Sequence, residues 1–184
     1  MANSVPLLGV VGIDGHDGTG KTTIARAVAQ ALNASYQRPF GGERGALLLG
    51  AHRAGDQAAV LRIGTAALLA AIHRAGTDRP VVLDRSWMTG GSLLSDENFY
   101  EHWTIWTPTI LCWADLPTTL SRLGERDEPA ESLASHRHYI ERYRTLAQDR
   151  GCPVVDTSRA TVPESTAEAL HEARRLLRWC VLST

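Results

Sequence analysis

Hydrophobic positions along the chain fall into two alternating rhythms. Short apolar runs closed by polar or turn residues recur at "LLGVVGID" (7–14), "ASYQRP" (34–39), "RPVVLDRSW" (79–87), "PTILCWAD" (108–115) and "CPVVDTS" (152–158). Runs of this kind suit strands buried on both faces of a parallel sheet. Between them lie stretches with helical spacing. "KTTIARAVAQALN" places Ile24, Val28 and Leu32 on one face, and "DQAAVLRIGTAALLAAIHRAG" (56–76) is a long alanine- and leucine-rich helix closed by Gly76. "SDENFYEHWTIW" (95–106) predicts a helix capped by Ser95 or Asp96, with Phe99, Trp103 and Trp106 on one face. "PTTLSRLGE", "AESLASHRHYIERYRTLAQDRG" and "PESTAEALHEARRLLRW" supply three more helices, whereas "FGGERG" reads as a turn. The alternation predicts a three-layer α/β fold, a five-stranded parallel sheet flanked by helices. Ligands are then expected at the carboxyl ends of the strands. No repeat or linker interrupts it, so residues 1–184 are expected to form a single domain.

Composition narrows the function without naming it. The 184 residues are 43% hydrophobic with a formal net charge of −1. They offer no basic tail, which disfavours nucleic-acid binding by bulk charge. Cys112, Cys152 and Cys180 have no paired spacing, a pattern of reduced thiols that fits a cytoplasmic protein. The first residues lack the charged segment of a signal peptide, and no run reaches the roughly 20 apolar residues of a membrane span. One bias is informative. Of nineteen basic residues, all but Lys21 are arginine; that position therefore needs a compact ammonium on a flexible stem rather than a planar guanidinium.

Lys21 lies in "GHDGTGKT" (15–22), which satisfies G-x-x-x-x-G-K-[ST] between a predicted strand and a predicted helix. Gly15, His16, Asp17, Gly18, Thr19, Gly20, Lys21, Thr22 and Thr23 then form the nucleotide-binding loop. Its backbone amides face phosphate oxygens, Lys21 reaches the β- and γ-phosphates of ATP, and the Thr22 hydroxyl ligates Mg²⁺. "VVLDRS" ends the third strand. If that strand neighbours the first, Asp84 sits beside the metal and Arg85 faces the transferring phosphoryl group. "SRLGERDEPAE" (121–131) carries Arg122 and Arg126 between two helices, a candidate lid over about 122–133 that excludes water and stabilises transition-state charge.

These motifs resemble those of the thymidylate kinase family, within the wider group of P-loop nucleoside and nucleoside monophosphate kinases. The likeness spans nearly the whole chain. "DGHDGTGKT" resembles the family's E-G-x-D-G-x-G-K-T loop, "YQRPFGG" its T-R-E-P-G-G turn, and "LDRSW" its D-R-Y motif. "ADLPTTLSRLGER" and "YIERYRTLA" resemble its lid region and the helix that follows. The resemblance implies transfer of the ATP γ-phosphate with Mg²⁺. It implies that Asp17 bonds the acceptor's sugar hydroxyl, that Arg38, Arg62 and Arg85 hold the acceptor's or the transferred phosphate, and that the lid supplies the catalytic arginine.

The sequence departs from the family where the acceptor base is read. Ala58 stands at the place of the thymine-stacking phenylalanine, Ser92, Leu93 and Leu94 replace an A-Y-Q segment, and the acidic residue of T-R-E-P is missing, with Glu43 the nearest substitute. Thymine selection is not implied by such a pocket. Among the aromatic residues, Trp87 is the candidate for acceptor contact, while Phe99, Trp103 and Trp106 read as a core-facing stripe or a homodimer seam. His136 and His138, two apart on a helix, do not share a face and are no metal pair. Three functions follow: a kinase for a nucleoside or nucleotide; a kinase for a modified pyrimidine, such as a 5-hydroxymethyl base in DNA, or another small hydroxyl acceptor; and a regulatory ATPase.

Overall fold

The computed structural model describes residues 9–125 and 132–182. Five parallel strands, β1 (Val10–Asp14), β2 (Ser35–Gln37), β3 (Val81–Asp84), β4 (Thr109–Trp113) and β5 (Val154–Asp156), form one sheet in the order β2-β3-β1-β4-β5. β1 lies at its centre, paired with β3 through Ile13 opposite Asp84 and with β4 through Asp14 opposite Leu111. The strand order reverses at β1, so the segments leaving β1 and β3 emerge side by side at the carboxyl edge.

The alternating directions of strand side chains divide the core into two layers. Val11, Ile13, Val82, Ile110, Cys112 and Val155 point to the face covered by α1 (Lys21–Ala31) and α8 (Val162–Leu182), where they meet Ile24, Val28, Ala169 and Ala173. Val10, Val81, Leu83 and Leu111 point to the other face. There they pack with α2 (Glu43–Arg53), α3 (Gln57–Ala75), α4 (Trp87–Ser92), α5 (Asp96–His102) and α7 (Leu133–Asp149). The sheet continues from β4 through α6 (Leu116–Gly124), whose start is capped by the Asp115 side chain. α8 begins with a capping box in which Thr161 and Glu164 bond each other's backbone amides.

Three elements differ from the sequence expectation. α2 begins inside the expected turn, at Glu43, and runs through residues to which the sequence pattern assigned no element. Its Gly45 and Gly50 lower helix propensity and its three consecutive leucines show no helical stripe, so only packing along α3, with Leu48 buried, reveals it. α4 is also unanticipated, since the sequence pattern assigned no element between the third strand and residue 95. Gly90 and Gly91 are required by close packing: a Cβ at Gly90 would stand 2.3 Å from the Trp103 ring, and one at Gly91 2.7 Å from Phe99. α5 ends at His102 rather than 106, and Trp103 has an extended backbone. Pro108 disfavours helical geometry at Thr107, and the chain must straighten to enter β4 at Thr109. The aromatic stripe nevertheless serves the core, with Phe99 and Trp103 buried and Trp106 packed on Trp87 and Phe99.

α3 is long and apolar enough, by length and composition, to cross a membrane, contrary to the expectation that no stretch would be. In this fold its Val60, Gly64, Ala67, Leu68 and Ala71 stripe lies within the layer over β2 and β3.

Candidate active site

The loop from β1 to α1 is shaped by two glycines. Gly20, with φ of 79°, is the residue before α1 and brings no capping side chain, so the first-turn amides of α1 are left for a ligand. Gly15 passes so close to β4 that a Cβ would come within 2.2 Å of the Cys112 carbonyl. Inside the loop, Thr19 Oγ1 and Lys21 Nζ both donate to the His16 carbonyl, at 2.8 and 3.1 Å. The loop is thus held open around a buried ammonium. Burial pushes the Lys21 pKa below the ordinary lysine range, opposed by the Asp17 carboxylate.

Lys21 also donates to Asp17 Oδ1 at 3.1 Å, and Arg85 Nη2 donates to the same oxygen. Burial would raise the Asp17 pKa, but the two cations outweigh it and hold the carboxyl well below the usual range. Arg85 reaches this position because its backbone is left-handed, with φ of 76°, a strained geometry for a non-glycine residue that concentrates at functional sites. Its other terminal nitrogen donates to Thr89 Oγ1 and Tyr143 Oη, both at 3.3 Å. At the end of β3, Asp84 accepts from Thr22 Oγ1 at 3.2 Å and Tyr36 Oη at 2.6 Å, with Arg38 Nε at 3.3 Å. Burial and the bond to Asp84 push the Tyr36 phenol up to about 12.

Two cavities open around the loop. One, of about 250 Å³, is lined by His16 and Asp17 of the loop together with Arg38, Arg85, Phe40 and Leu48. The other, of about 310 Å³, is lined by Gly18 and Gly20 of the loop together with Arg122, Glu125, Thr157 and Val162.

The architecture that holds them is found in known structures. Deoxyadenosine kinase from M. mycoides, with the products dCMP and dCDP bound, superposes with a TM-score of 0.62 at 12% identity over 90% of this chain and 98% of that one. The YorR protein from Bacillus subtilis, in complex with phosphorylated GDP, superposes with a TM-score of 0.60 at 12% identity, covering 90% of this chain and 95% of that one. The chain has the deoxynucleoside kinase fold. No family model matches the sequence, and no curated protein sequence does either.

Within this fold the structure brings together Asp17, Lys21, Thr22, Arg38, Asp84 and Arg85 at one strand edge, as the motifs imply. Other expected site residues lie elsewhere. Trp87 is buried, its Nε1 donating to the Thr107 carbonyl at 3.0 Å and its ring on Phe99, so it belongs to the core and not to the cavity lined by Asp17 and Arg85. A helix starting at residue 87 turns the side chain away from the strand edge. Arg62 is exposed on α3 and does not line that cavity. Arg122 belongs to α6 and donates to the Gly18 and Thr157 carbonyls at 3.2 and 2.7 Å, on the cavity opposite Asp17. Arg126 lies outside the described residues, as does half of the expected lid, residues 126–131.

Four residues have roles that the sequence reading did not supply. Asp14, at the end of β1, is fully buried and accepts five hydrogen bonds: from Gly15 N, from the backbone amides of Ser86 and Thr89, and from both of their hydroxyls. It ties the start of α4, and with it Arg85, to β1. Tyr139 and Tyr143, one helical turn apart on α7, line the cavity that also holds Asp17 and Arg85; their i, i+4 spacing was the signal that could have marked them. His16, with no role evident from sequence, pairs its Nε2 with His136 Nδ1 at 2.9 Å and stacks on Tyr139, fastening the loop to α7.

Burial lowers the His16 pKa from 6.5 to about 4. Between these values the unfolded chain binds a proton that the native state does not. The contribution to stability is therefore present above pH 6.5 and is lost as pH falls toward 4, by about 3 kcal/mol. The melting midpoint is expected to fall across this window, and a His16→Gln variant to show a shallower fall. Parallel melting curves for the two proteins, followed by circular dichroism from pH 7 to 4, would remove His16 from the acid sensitivity.

Proposed function

We propose that this chain is an ATP- and Mg²⁺-dependent phosphotransferase that moves the ATP γ-phosphoryl group to a hydroxyl or phosphate oxygen of a nucleoside or nucleotide. The observation that carries this reading is that one phosphate loop contributes to two cavities, with Lys21 in the loop and Asp17 and Arg85 on only one side. A regulatory ATPase needs the donor cavity alone; a second cavity with a carboxylate and two arginines suits an acceptor. The thymidylate kinase motifs and the shared deoxynucleoside kinase fold support the same reading, and they leave thymine without a reader.

On this reading the amides of residues 20–23 hold the triphosphate and Lys21 follows the β- and γ-oxygens. Arg122 forms the wall of the donor cavity. Thr22 and Asp84, hard oxygen donors 3.2 Å apart, suit adjacent positions on Mg²⁺, which would neutralise phosphate charge when bound. Asp17 is held ionised by two cations, so it orients the acceptor by accepting a hydrogen bond and is a poor proton acceptor. Arg85 is positioned to meet charge developing on the transferring group, and Arg38 an acceptor phosphate. Catalysis is then mainly positioning and electrostatic stabilisation.

The test is incubation of the purified chain with γ-labelled ATP and a panel of nucleosides, nucleotides and 5-hydroxymethylpyrimidine-containing DNA. Label is expected on a free nucleoside or nucleotide. Label only on DNA would move the reading to the modified-base kinase, and label only on free phosphate to the regulatory ATPase.

A further inference from the structure

The acceptor-side cavity has two unlike ends. At its head stand the charged groups Asp17, Arg38 and Arg85. They have capacity for a ligand: both Lys21 and Arg85 use Oδ1 of Asp17, while Oδ2 has no partner among the described residues and the side chain is half exposed. Arg85 uses Nη1 and one N–H of Nη2, leaving Nε and one further N–H.

The body end is built differently. Phe40, Leu48 and Leu93 are buried there and Leu49 forms a half-exposed outer wall. The polar groups around it are already engaged with protein. Ser92 Oγ donates to the Thr89 carbonyl at 2.9 Å, Thr89 Oγ1 donates to Asp14 at 2.8 Å, and Tyr143 Oη shares hydrogen bonds with Thr89 and Arg85. Tyr139 Oη faces His52 Nε2 at 3.4 Å, and His16 Nε2 faces His136. Among the described residues no asparagine, glutamine, lysine or further carboxylate lines the cavity. A nucleobase edge placed here meets hydrocarbon and committed hydroxyls.

We infer that this site selects its acceptor at the phosphoryl-accepting head and only sizes it at the other end, so that nucleoside-like acceptors with different bases are used comparably and apolar substituents on the base are favoured. This rests on the phosphotransferase reading above. The size of the effect follows from how pockets discriminate. A site that hydrogen-bonds a substrate group rejects analogues lacking it by about 10⁴-fold or more, whereas shape and apolar contact reach only about 10- to 200-fold per methylene-sized difference. Selectivity among bases therefore belongs to the second class.

The test uses the full chain with the four common 2′-deoxynucleosides and their 5′-monophosphates. kcat/KM is measured with labelled ATP, and binding of the same eight compounds is measured by equilibrium dialysis. Within the preferred head group, the four bases are expected to span less than about 200-fold, and the deoxyuridine analogue, assayed alongside them, to fall below its thymidine counterpart by about tenfold for its missing methyl. A single base preferred by about 10⁴-fold overturns the inference and leaves the phosphotransferase reading intact. Comparable binding of all four bases with no labelled product overturns the reading of the activity and upholds the sizing. Failure of every compound to bind overturns both. Leu49→Trp, on a half-exposed wall, is expected to raise KM for purine acceptors about tenfold and for pyrimidine acceptors much less. An equal effect on both, in a variant with unchanged melting, would also count against a site that reads size.

Discussion

Replacing Lys21 with alanine is expected to lower turnover with the preferred acceptor by roughly 10²-fold or more, about 3 kcal/mol of barrier. The ammonium is buried, donates to the His16 carbonyl and to Asp17, and lies at the start of α1 where the loop amides converge. On the proposed reading, removing it takes away a cation placed to follow charge from the β- to the γ-phosphate as the bond breaks. Asp17 keeps Arg85 as a partner, so the loss is expected in kcat more than in folding. Lys21→Arg is expected to recover little, because a planar guanidinium is too wide for the space around the His16 carbonyl. Steady-state kinetics and melting of both variants check this; a near wild-type rate in folded Lys21→Ala protein would take the loop out of the chemistry.

Asp14→Ala is expected to cost about 3–5 kcal/mol of stability, since it orphans several buried donors at once. The side chain accepts from three backbone amides and two hydroxyls; the hydroxyls also face Thr109 Oγ1 and Tyr143 Oη, each at 3.0 Å, and can turn to them, so the loss falls on the amides. For a chain of this size the melting midpoint should fall on the order of 10 °C. Asp14→Asn, which keeps one carbonyl oxygen, should fall less. The damage should also reach the site, because Asp14 holds Ser86 and Thr89 on either side of the strained turn at Arg85. A loss of acceptor binding in the folded fraction, beyond the loss of stability, is the expected signature. A melting midpoint within 2 °C of wild type would show that α4 is held by its aromatic packing alone.

The contrast between these residues marks how far sequence reading reached. Lys21, Thr22, Asp84 and Arg85 were legible because each belongs to a short motif attached to a strand end, and parallel strands bring such ends together. Arg62 and Trp87 were misplaced because their positions depend on the rotation of a helix, which spacing alone does not determine. α2 was missed because its glycines and consecutive leucines obscure a helical period, and α4 because it is short and its paired glycines answer to the room needed by Trp103 and Phe99, which local spacing does not show. His16 and His136 are 120 residues apart; nothing local in either segment points to the other.

By itself the sequence determined the alternation of strands and helices, the parallel sheet, the phosphate loop and the cluster of charged groups at its carboxyl edge. Those features follow from periodicity and from motifs whose parts touch one another along the chain. Only the tertiary structure decided that Asp14 is a structural tie, that Trp87 faces the core, that Arg122 is fastened to the loop, and that the acceptor-side cavity is charged at one end and hydrocarbon at the other. Each of these depends on which side chains distant segments present to a common space, and close packing, rather than any local preference, makes that choice.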